Sequence, residues 1–178
     1  MTRWVALAPA ETPVPDGAVG GPDLPGSVGG TGATWDCAGD RPPAGASESV
    51  ALVPVRAKAV PLDGRRVKRT LLLTVRADAD PEAVARFESD LMAMPDHIAT
   101  IRGWALSRVD QDRSPSAWTH VWEQEFADVE GLSGEYLTHP YHWTYVDRWF
   151  DGEVPGSIVE PRLAHLFRWT DGPVLGRS

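Results

Sequence analysis

Glycine and proline are so frequent in the first third of the chain that a helix of ordinary length cannot form there. They lie mainly in two clusters, residues 13–32 and 42–45, and more than half of the chain's 17 glycines and 16 prolines precede residue 67. Glycine in a helix loses backbone entropy and proline removes a hydrogen-bond donor, so clusters of both are typical of turns and surface loops. The first third can therefore supply strands and loops but no regular helix.

Three short runs within residues 1–66 have the composition of strands. We predict strands at residues 4–8, 33–37 and 50–60, the last from its alternation of apolar and polar side chains. Three short strands without helices cannot easily close a core of their own. We therefore expect residues 1–66 to form an appendage packed on the rest of the chain. The alternative is an appendage that is partly disordered, which its composition would also allow.

From residue 67 onward the pattern is one of regular elements in the order β-α-β-β-α-β. Periodicity and capping residues predict strands over 70–75, 103–109, 118–126 and 163–169, and helices over 81–94 and 129–150, the second broken at Pro140. This order is that of the ferredoxin-like fold, an antiparallel sheet with both helices on one face. The predicted fold class is α+β.

The predicted organisation is a helix-poor N-terminal β appendage (1–66), a ferredoxin-like domain (67–170) and a tail (171–178) that we expect to be frayed. The face of the sheet without helices needs a cover, which either a second copy of the chain or residues 1–66 would supply. On the strand 118–126 the even-numbered side chains are the more apolar and are predicted to be buried. On this basis Glu123 and Glu125 are expected to face solvent.

Charge and composition exclude several classes of partner. The net charge of −8 argues against nucleic acid and against an anionic membrane surface. The single cysteine, Cys37, excludes an internal disulfide and a cysteine-rich metal site. The apolar run at the amino terminus is too short for a signal peptide, and no segment approaches the roughly 20 apolar residues that span a bilayer. A soluble cytoplasmic protein is expected.

A tyrosine and two histidines, Tyr136, His139 and His142, lie around Pro140 in the second predicted helix. Histidine has the unperturbed pKa nearest to neutrality, so an imidazole beside a phenol is a candidate proton-transfer group. Proline frees a backbone carbonyl and kinks a helix, so the alternative is that the histidines satisfy freed backbone groups. On a regular helix Tyr136, His139 and Trp143 would share one face.

Aromatic side chains are concentrated in the same half of the chain. Five of the eight tryptophans lie between residues 104 and 149. They could form a bulky core, or some could line a pocket for a flat, apolar ligand. His120, on a tryptophan-rich strand, is open to the same two interpretations: a hydrogen-bonded core histidine or a pocket group.

Three motifs in order give the second half a family likeness. They are Trp118-Thr119-His120-Val121 leading to Glu125-Phe126, then Tyr136-x-x-His139-Pro140-x-His142, then Val146-Asp147-x-x-Phe150. With these motifs, the region from residue 67 to 169 resembles the stress-responsive dimeric α/β-barrel (Dabb) family. The resemblance implies a ferredoxin-like domain whose open sheet face pairs with another to form a barrel. The strands of residues 1–66 could then answer to a degenerate second copy, with loops in place of helices.

The resemblance extends to the family's polyketide cyclases of the olivetolic acid cyclase type, which catalyse an intramolecular aldol condensation without a cofactor. It implies that His142 is the general base and that Tyr136 polarises the substrate carbonyl. The residues predicted to surround the substrate are His139, His120, Trp122, Trp143, Phe87 and Trp104. Two positions depart from the cyclases: Arg69-Thr70 stands where they have a pocket histidine, and Trp122 replaces a smaller apolar residue.

The leading hypothesis is a cofactor-independent enzyme that abstracts a proton next to a carbonyl in a small apolar or aromatic substrate. Cyclisation, isomerisation and C–C lyase chemistry would all use this step. One rival is a non-catalytic stress-response or small-molecule-binding protein with structural histidines. The other is a metal-binding oligomer, since three neutral imidazoles, those of His120, His139 and His142, would suffice for zinc. A homodimer through the open sheet face is expected unless residues 1–66 cover that face.

Overall fold

The computed structural model describes residues 1–59 and 63–175, in which one curved sheet carries helical segments on part of its outer surface. The strands are β1 (Thr2–Pro9), β2 (Val19–Pro22), β3 (Gly32–Gly39), β4 (Glu48–Lys58), β5 (Arg66–Val75), β6 (Gly103–Val109), β7 (His120–Phe126) and β8 (Val159–Thr170). The helical segments are α1 (Pro81–His97), α2 (Val129–Gly131), the π-helical turns Leu132–Tyr136 and His142–Val146, and the 3-10 turn Asp147–Trp149. Val60, predicted to end a strand, and residues 176–178 of the predicted tail lie outside the described residues.

The β-α-β-β-α-β order of the second half is confirmed, and β6 has the predicted bounds. Helix α1 begins as its sequence indicates: Pro81 occupies the first turn, and the Asp80 carboxylate accepts a hydrogen bond from the Glu82 N–H at 2.7 Å. Its apolar stripe, which includes Phe87 and Leu91, is buried against the sheet. Strand β7 begins only at His120, two residues later than predicted.

The strand β2 was not predicted, because it consists largely of glycine and lies inside a breaker cluster. It forms because β3 offers a free edge, to which residues 19–22 pair in antiparallel register. Gly20 is required there for space: a Cβ atom at this position would lie 2.3 Å from the Trp35 ring. The strand is thus specified by its neighbour rather than by its own propensity.

The two halves of the chain have the same strand order. The sheet order is β2-β3-β1-β4-β6-β7-β5-β8, so each group of four follows the order second, third, first, fourth along the chain. In the second half α1 and the segment from Val129 to Trp149 provide the helices of the ferredoxin-like unit, whereas loops take their place in the first half. This is the order expected of a tandem pair of ferredoxin-like units in which the first has lost its helices.

The sheet curls until its two edges, β2 and β8, meet. The Leu24 N–H donates to the Phe167 carbonyl at 2.8 Å, and Val28 and His165 exchange two backbone hydrogen bonds of 2.9 Å. This seam is related by the internal repeat to the pairing of β4 with β6. Gly29 makes the approach possible, because its φ is +78° and a Cβ there would lie 2.1 Å from the Leu163 carbonyl oxygen.

Residues 1–66 therefore cover the sheet face that lacks helices, which is one of the two covers expected from the sequence. An apolar cluster inside the barrel draws on both halves of the chain; it comprises Val5, Leu7, Val50, Leu52, Leu72, Val109, Trp118, Val121, Ala164 and Leu166. Burial of such side chains is the main term that holds the two halves together. Among the described residues, no helix is long and apolar enough to cross a bilayer.

A network of charged side chains also lies inside the barrel. The Asp36 carboxylate binds Arg3 and Lys68 at 2.9 Å and Arg168 at 2.7 Å. The Glu123 carboxylate binds Lys68 at 2.7 Å and Arg3 at 2.5 Å. Burial alone would raise the pKa of Asp36, but the three cations hold that pKa well below its usual range. The network joins β1 and β3 to β5, β7 and β8.

Two expectations about exposure are wrong. Glu123 and Glu125 were expected to face solvent, yet they are 0% and 1% exposed, because the first half of the chain covers their face of β7. The tail was expected to be frayed, but in its described part, residues 171–175, Val174 and Leu175 are buried and both of their N–H groups donate to the Glu125 carboxylate, at 2.6 and 3.0 Å. Glu125 thus anchors the end of the described chain.

Candidate functional site

The second helical segment is interrupted at His139, the residue before Pro140. A proline disfavours the helical conformation in the residue that precedes it. The His139 ring takes part in the turn, because its Nδ1 accepts a hydrogen bond from the Tyr141 N–H at 3.1 Å. The His142 N–H then donates to the His139 carbonyl at 3.0 Å. His139 thus stabilises the kink.

The π-helical turn after the kink places a carboxylate beside His142. The Asp147 N–H donates to the His142 carbonyl, five residues earlier, as a π turn requires. In an α-helix, residues five apart point about 140° away from each other. Here His142 Nδ1 lies 3.2 Å from Asp147 Oδ1. The angle is not that of a hydrogen bond, and Nδ1 has no hydrogen-bond partner among the described residues.

Tyr136 lies directly against His142, on the side toward the sheet. The two rings meet edge to face with centroids 4.8 Å apart, and Phe126 packs edge-on at 5.5 Å. Tyr136 is only 2% exposed. Burial raises its pKa, although the Arg69 charge and the Gln124 amide oppose the rise. The phenol therefore remains protonated near neutral pH and can donate a hydrogen bond.

A buried arginine completes the cluster from the strand side. The Arg69 guanidinium lies over the Tyr136 ring, with its central carbon 5.2 Å from the ring centroid. Its Nε donates to His165 Nε2 at 2.6 Å and its Nη1 donates to Gln124 Oε1 at 2.7 Å. Burial, together with the nearby charges of Arg69 and His142, lowers the pKa of His165 to about 3. His165 is therefore neutral at physiological pH and accepts the bond from Arg69.

Sequence reasoning did not identify Arg69, His165, Gln124 or Asp147 as site residues. Arg66, Lys68 and Arg69 lie in a strand whose other residues are apolar or threonine, which is an unusual place for three cations. Because a charged residue in a buried strand needs a partner, the sequence did indicate that Arg69 contacts another polar group. Its position in relation to the second helix could not be deduced, since three strands on different parts of the chain converge here.

His120 lies on the same outer face of the sheet but is tied to helix α1. Its Nε2 lies 3.1 Å from Glu88 Oε1 and its Nδ1 lies 2.8 Å from the Thr119 hydroxyl. Glu88 also binds Arg108 through two hydrogen bonds, of 2.7 and 2.9 Å. Burial lowers the pKa of His120 in spite of the Glu88 carboxylate. The environment is that of a hydrogen-bonded core histidine, and Phe87 packs edge-on against its ring.

The tryptophans proposed for the pocket occupy two kinds of position. Trp104 and Trp122 are buried together between sheet and helices, with ring centroids 5.6 Å apart. Trp143 is 56% exposed, and its indole N–H donates to the Leu137 carbonyl at 2.7 Å. The common face expected for Tyr136, His139 and Trp143 is wrong, because the kink and the π turns replace the regular helical spacing. His142 contacts Tyr136 instead.

The structure does not gather the three histidines that were considered as zinc ligands. Within residues 1–59 and 63–175, no three or more His, Cys, Asp or Glu side chains are grouped closely enough to hold a metal ion. A cavity of about 540 Å³ opens at the seam of β2 and β8, where Arg65 and Arg168 contribute to its wall. Neither Tyr136 nor His142 lines that cavity. The candidate site is therefore assigned from the chemistry of the Tyr136 and His142 side chains and not from a cavity.

Comparison with known proteins identifies the second half. The family model of the stress responsive A/B barrel domain (Dabb) matches residues 67–159, just over half of the chain. The match includes β5, α1, β6, β7 and the kinked segment with Tyr136 and His142. A search of curated proteins gave no match.

Solved structures share the fold over the whole chain. A proposed monooxygenase from Lactobacillus acidophilus is 12% identical, with a TM-score of 0.58 over 98% of this chain and 97% of its own. A second proposed monooxygenase, from Fusobacterium nucleatum, is 9% identical, with a TM-score of 0.58 over 99% and 96%. A major regulator of staphylococcal pathogenesis is 7% identical, with a TM-score of 0.56 over 97% and 99%. At these identities the likeness concerns the fold alone, and it includes the helix-poor first half.

Proposed function

The chain belongs to the stress-responsive A/B barrel (Dabb) family, and from this premise we propose that it is a cofactor-independent enzyme that removes a proton next to a carbonyl group. The substrate is a small, largely apolar or aromatic, polyketide-like molecule, and the outcome is cyclisation, isomerisation or C–C cleavage. The observation that supports this proposal is the His142 ring, packed against Tyr136 with an Nδ1 atom that has no hydrogen-bond partner among the described residues.

Each group has one role in the proposed reaction. His142 takes the proton through Nε2 as a general base. Asp147, 3.2 Å from Nδ1, stabilises the imidazolium that results. Tyr136 donates a hydrogen bond to the carbonyl oxygen and stabilises the negative charge that develops there. Because burial raises the pKa of Tyr136, the phenol keeps the proton that it needs for this role.

The other histidines of the segment and its sheet support this assignment by contrast. A histidine that serves the fold has its ring nitrogens hydrogen-bonded. His120 is bonded through both nitrogens, and His139 accepts a bond from the Tyr141 N–H. His142 instead has the Asp147 carboxylate 3.2 Å from Nδ1, close enough for a small ring rotation to form the hydrogen bond by which a carboxylate orients a general base.

The proposal is tested by deuterium incorporation, which needs no knowledge of the final product. A panel of small β-diketones and aryl ketones is incubated with the protein in buffered D₂O, and exchange at the carbon next to the carbonyl is followed by proton NMR. We expect catalysed exchange that falls by at least about 100-fold in His142→Gln and by about 10-fold or more in Tyr136→Phe. His97→Gln, at the exposed end of α1, is the matched control.

The rival function is a binding or stress-response protein in which His142 is structural. It predicts no catalysed exchange and a lower melting temperature for His142→Gln, because the packing of the imidazole against the Tyr136 ring would be lost. A carbanion can also react with O₂, and two proteins of this fold are described as proposed monooxygenases. Oxygen uptake is therefore recorded in the same assay. Exchange that His142→Gln leaves unchanged would exclude the proposed mechanism.

A further inference from the structure

We propose that Arg69 binds a carboxylate of the substrate, so that the site takes a carbonyl compound that is also an acid. The inference rests on the proposed function for the location of the reacting carbon, but its own evidence is the environment of Arg69. That residue is 5% exposed and lies against Tyr136, which in turn contacts His142. A ligand bound by Arg69 would therefore lie beside the proposed base and phenol.

Arg69 differs from the other cations of strand β5 in having no carboxylate beside it within residues 1–59 and 63–175. Lys68 binds both Asp36 and Glu123, and Arg66 lies 3.7 Å from Glu125. For Arg69 the contacts among the described residues are neutral groups: the imidazole of His165, the amide of Gln124 and the phenol ring of Tyr136. A buried charge without a counter-charge is costly, so proteins normally pair it. A bound anion would complete the pair.

The two hydrogen bonds also orient the guanidinium. Nε is held by His165 and Nη1 by Gln124, which fixes the plane of the group and leaves Nη2 without a hydrogen bond among the described residues. A guanidinium that is held in this way loses little freedom when it binds a carboxylate, whose two oxygens match its geometry. His165 is neutral here and accepts from Nε, so it does not compete with an anion for Arg69.

Neutral neighbours make this site selective for charge. Arg69 lies over the Tyr136 ring, on which Phe126 and His142 also pack, so a ligand of Arg69 would lie next to a cluster of aromatic rings. Arg69 adds a single fixed positive charge beside these rings. An aromatic acid fits both requirements, whereas a neutral molecule of the same shape would leave the guanidinium unpaired.

The test compares binding of benzoate and benzamide, which have nearly the same shape and differ in charge. Calorimetric titration of the full chain at pH 7 is expected to give at least about 10-fold tighter binding of benzoate, as a charge-assisted bond to arginine provides. Arg69→Met should abolish this preference while benzamide binds as before, and Arg69→Lys should restore part of it. Arg65→Met, at an exposed position immediately before the same strand, controls for net charge.

A second measurement separates a binding role from a structural one. If Arg69 serves only the fold, Arg69→Met loses its bonds to His165 and Gln124 and its melting temperature falls. If Arg69 awaits an anion, the melting temperature of the ligand-free variant stays the same or rises, and benzoate stabilises the wild type alone. A preference for benzoate that survives in Arg69→Met, or equal binding of the two probes by the wild type, would overturn the inference.

The two proposals fail separately. The benzoate preference is measured without turnover, so it can hold and depend on Arg69 even if no deuterium exchange is catalysed. In that case the proposed reaction is wrong and the anion site stands. Conversely, exchange that depends on His142 but runs equally well with neutral ketones and keto acids would retain the reaction and remove the carboxylate requirement.

Discussion

Replacement of Asp36 by asparagine tests how the two halves of the barrel are held together. Asp36 lies on β3 in the first half, and its carboxylate binds Lys68 and Arg168 from the second half as well as Arg3 from its own. Asparagine keeps the shape and removes the charge. Glu123 would then be the one carboxylate left in the network for Arg3 and Lys68, and Arg168 would lose the carboxylate that it binds.

The magnitude follows from the charge balance. In the wild type three cations face two carboxylates, and Asp36→Asn leaves three facing one. Removing one partner from a buried ionic network costs about 3–5 kcal/mol of unfolding free energy. Lys68→Met leaves two cations facing two carboxylates, so we expect it to cost less, about 1–3 kcal/mol. For a chain of this size 3–5 kcal/mol lowers the melting temperature by roughly 6–20 °C.

The pH dependence provides a second signature. The pKa of Asp36 is lower in the folded chain than the value of about 3.9 in an unfolded one. Its stabilisation is therefore fully present above pH 4 and is lost as the pH falls toward the folded pKa. Urea unfolding between pH 7 and pH 3 should show a steeper acid loss for the wild type than for Asp36→Asn.

Asp40→Asn, an exposed change four residues further along the chain, is the control and should alter stability by less than about 0.5 kcal/mol. The reasoning is refuted if Asp36→Asn unfolds within 0.5 kcal/mol of the wild type. It is equally refuted if Lys68→Met is the more damaging change, because the order of the two variants follows from the charge count.

Two further changes test the seam and the helix contact. Gly29→Ala should cost about 3 kcal/mol or more, because a Cβ there would lie 2.1 Å from the backbone of β8. Gly17→Ala, at nearly the same φ of +79° but with no atom of the described residues within 4 Å of its Cβ, should cost only the roughly 1–2 kcal/mol of backbone strain. Similar urea midpoints for the two variants would argue against the closed seam. Glu88→Gln should lower the free energy of unfolding in urea by about 1 kcal/mol, because it weakens the hydrogen bonds to His120 and to the half-exposed Arg108. An unchanged free energy of unfolding would show that those bonds do not form in solution.

Much of the fold could be read from local patterns. The helix at Pro81 has its cap and its apolar stripe within a few residues of each other, and β6 is a short run between clear boundaries. The kink was predictable as well, because proline acts on its own neighbours. These features depend on contacts between residues close in sequence.

The candidate site was only partly predictable. Tyr136 and His142 could be chosen from the family signature, but the π turn that brings Asp147 to His142 leaves no mark in hydrophobic periodicity. Arg69 and His165 lie 96 residues apart and meet only because β5 pairs with β8. No spacing rule connects such residues.

The sequence by itself determined the kinds of element and their order in the second half, and its glycine and proline clusters ruled out regular helices in the first. Only the tertiary structure decided which faces are buried. Apolar and polar side chains alternate along β7, a pattern typical of a strand with one face in solvent. Glu123 is nevertheless fully buried, because the strands of the first half close the barrel over it. The physical reason is that burial depends on what packs against a strand, and the pattern of residues 1–66 predicts three short strands but not the face that they cover.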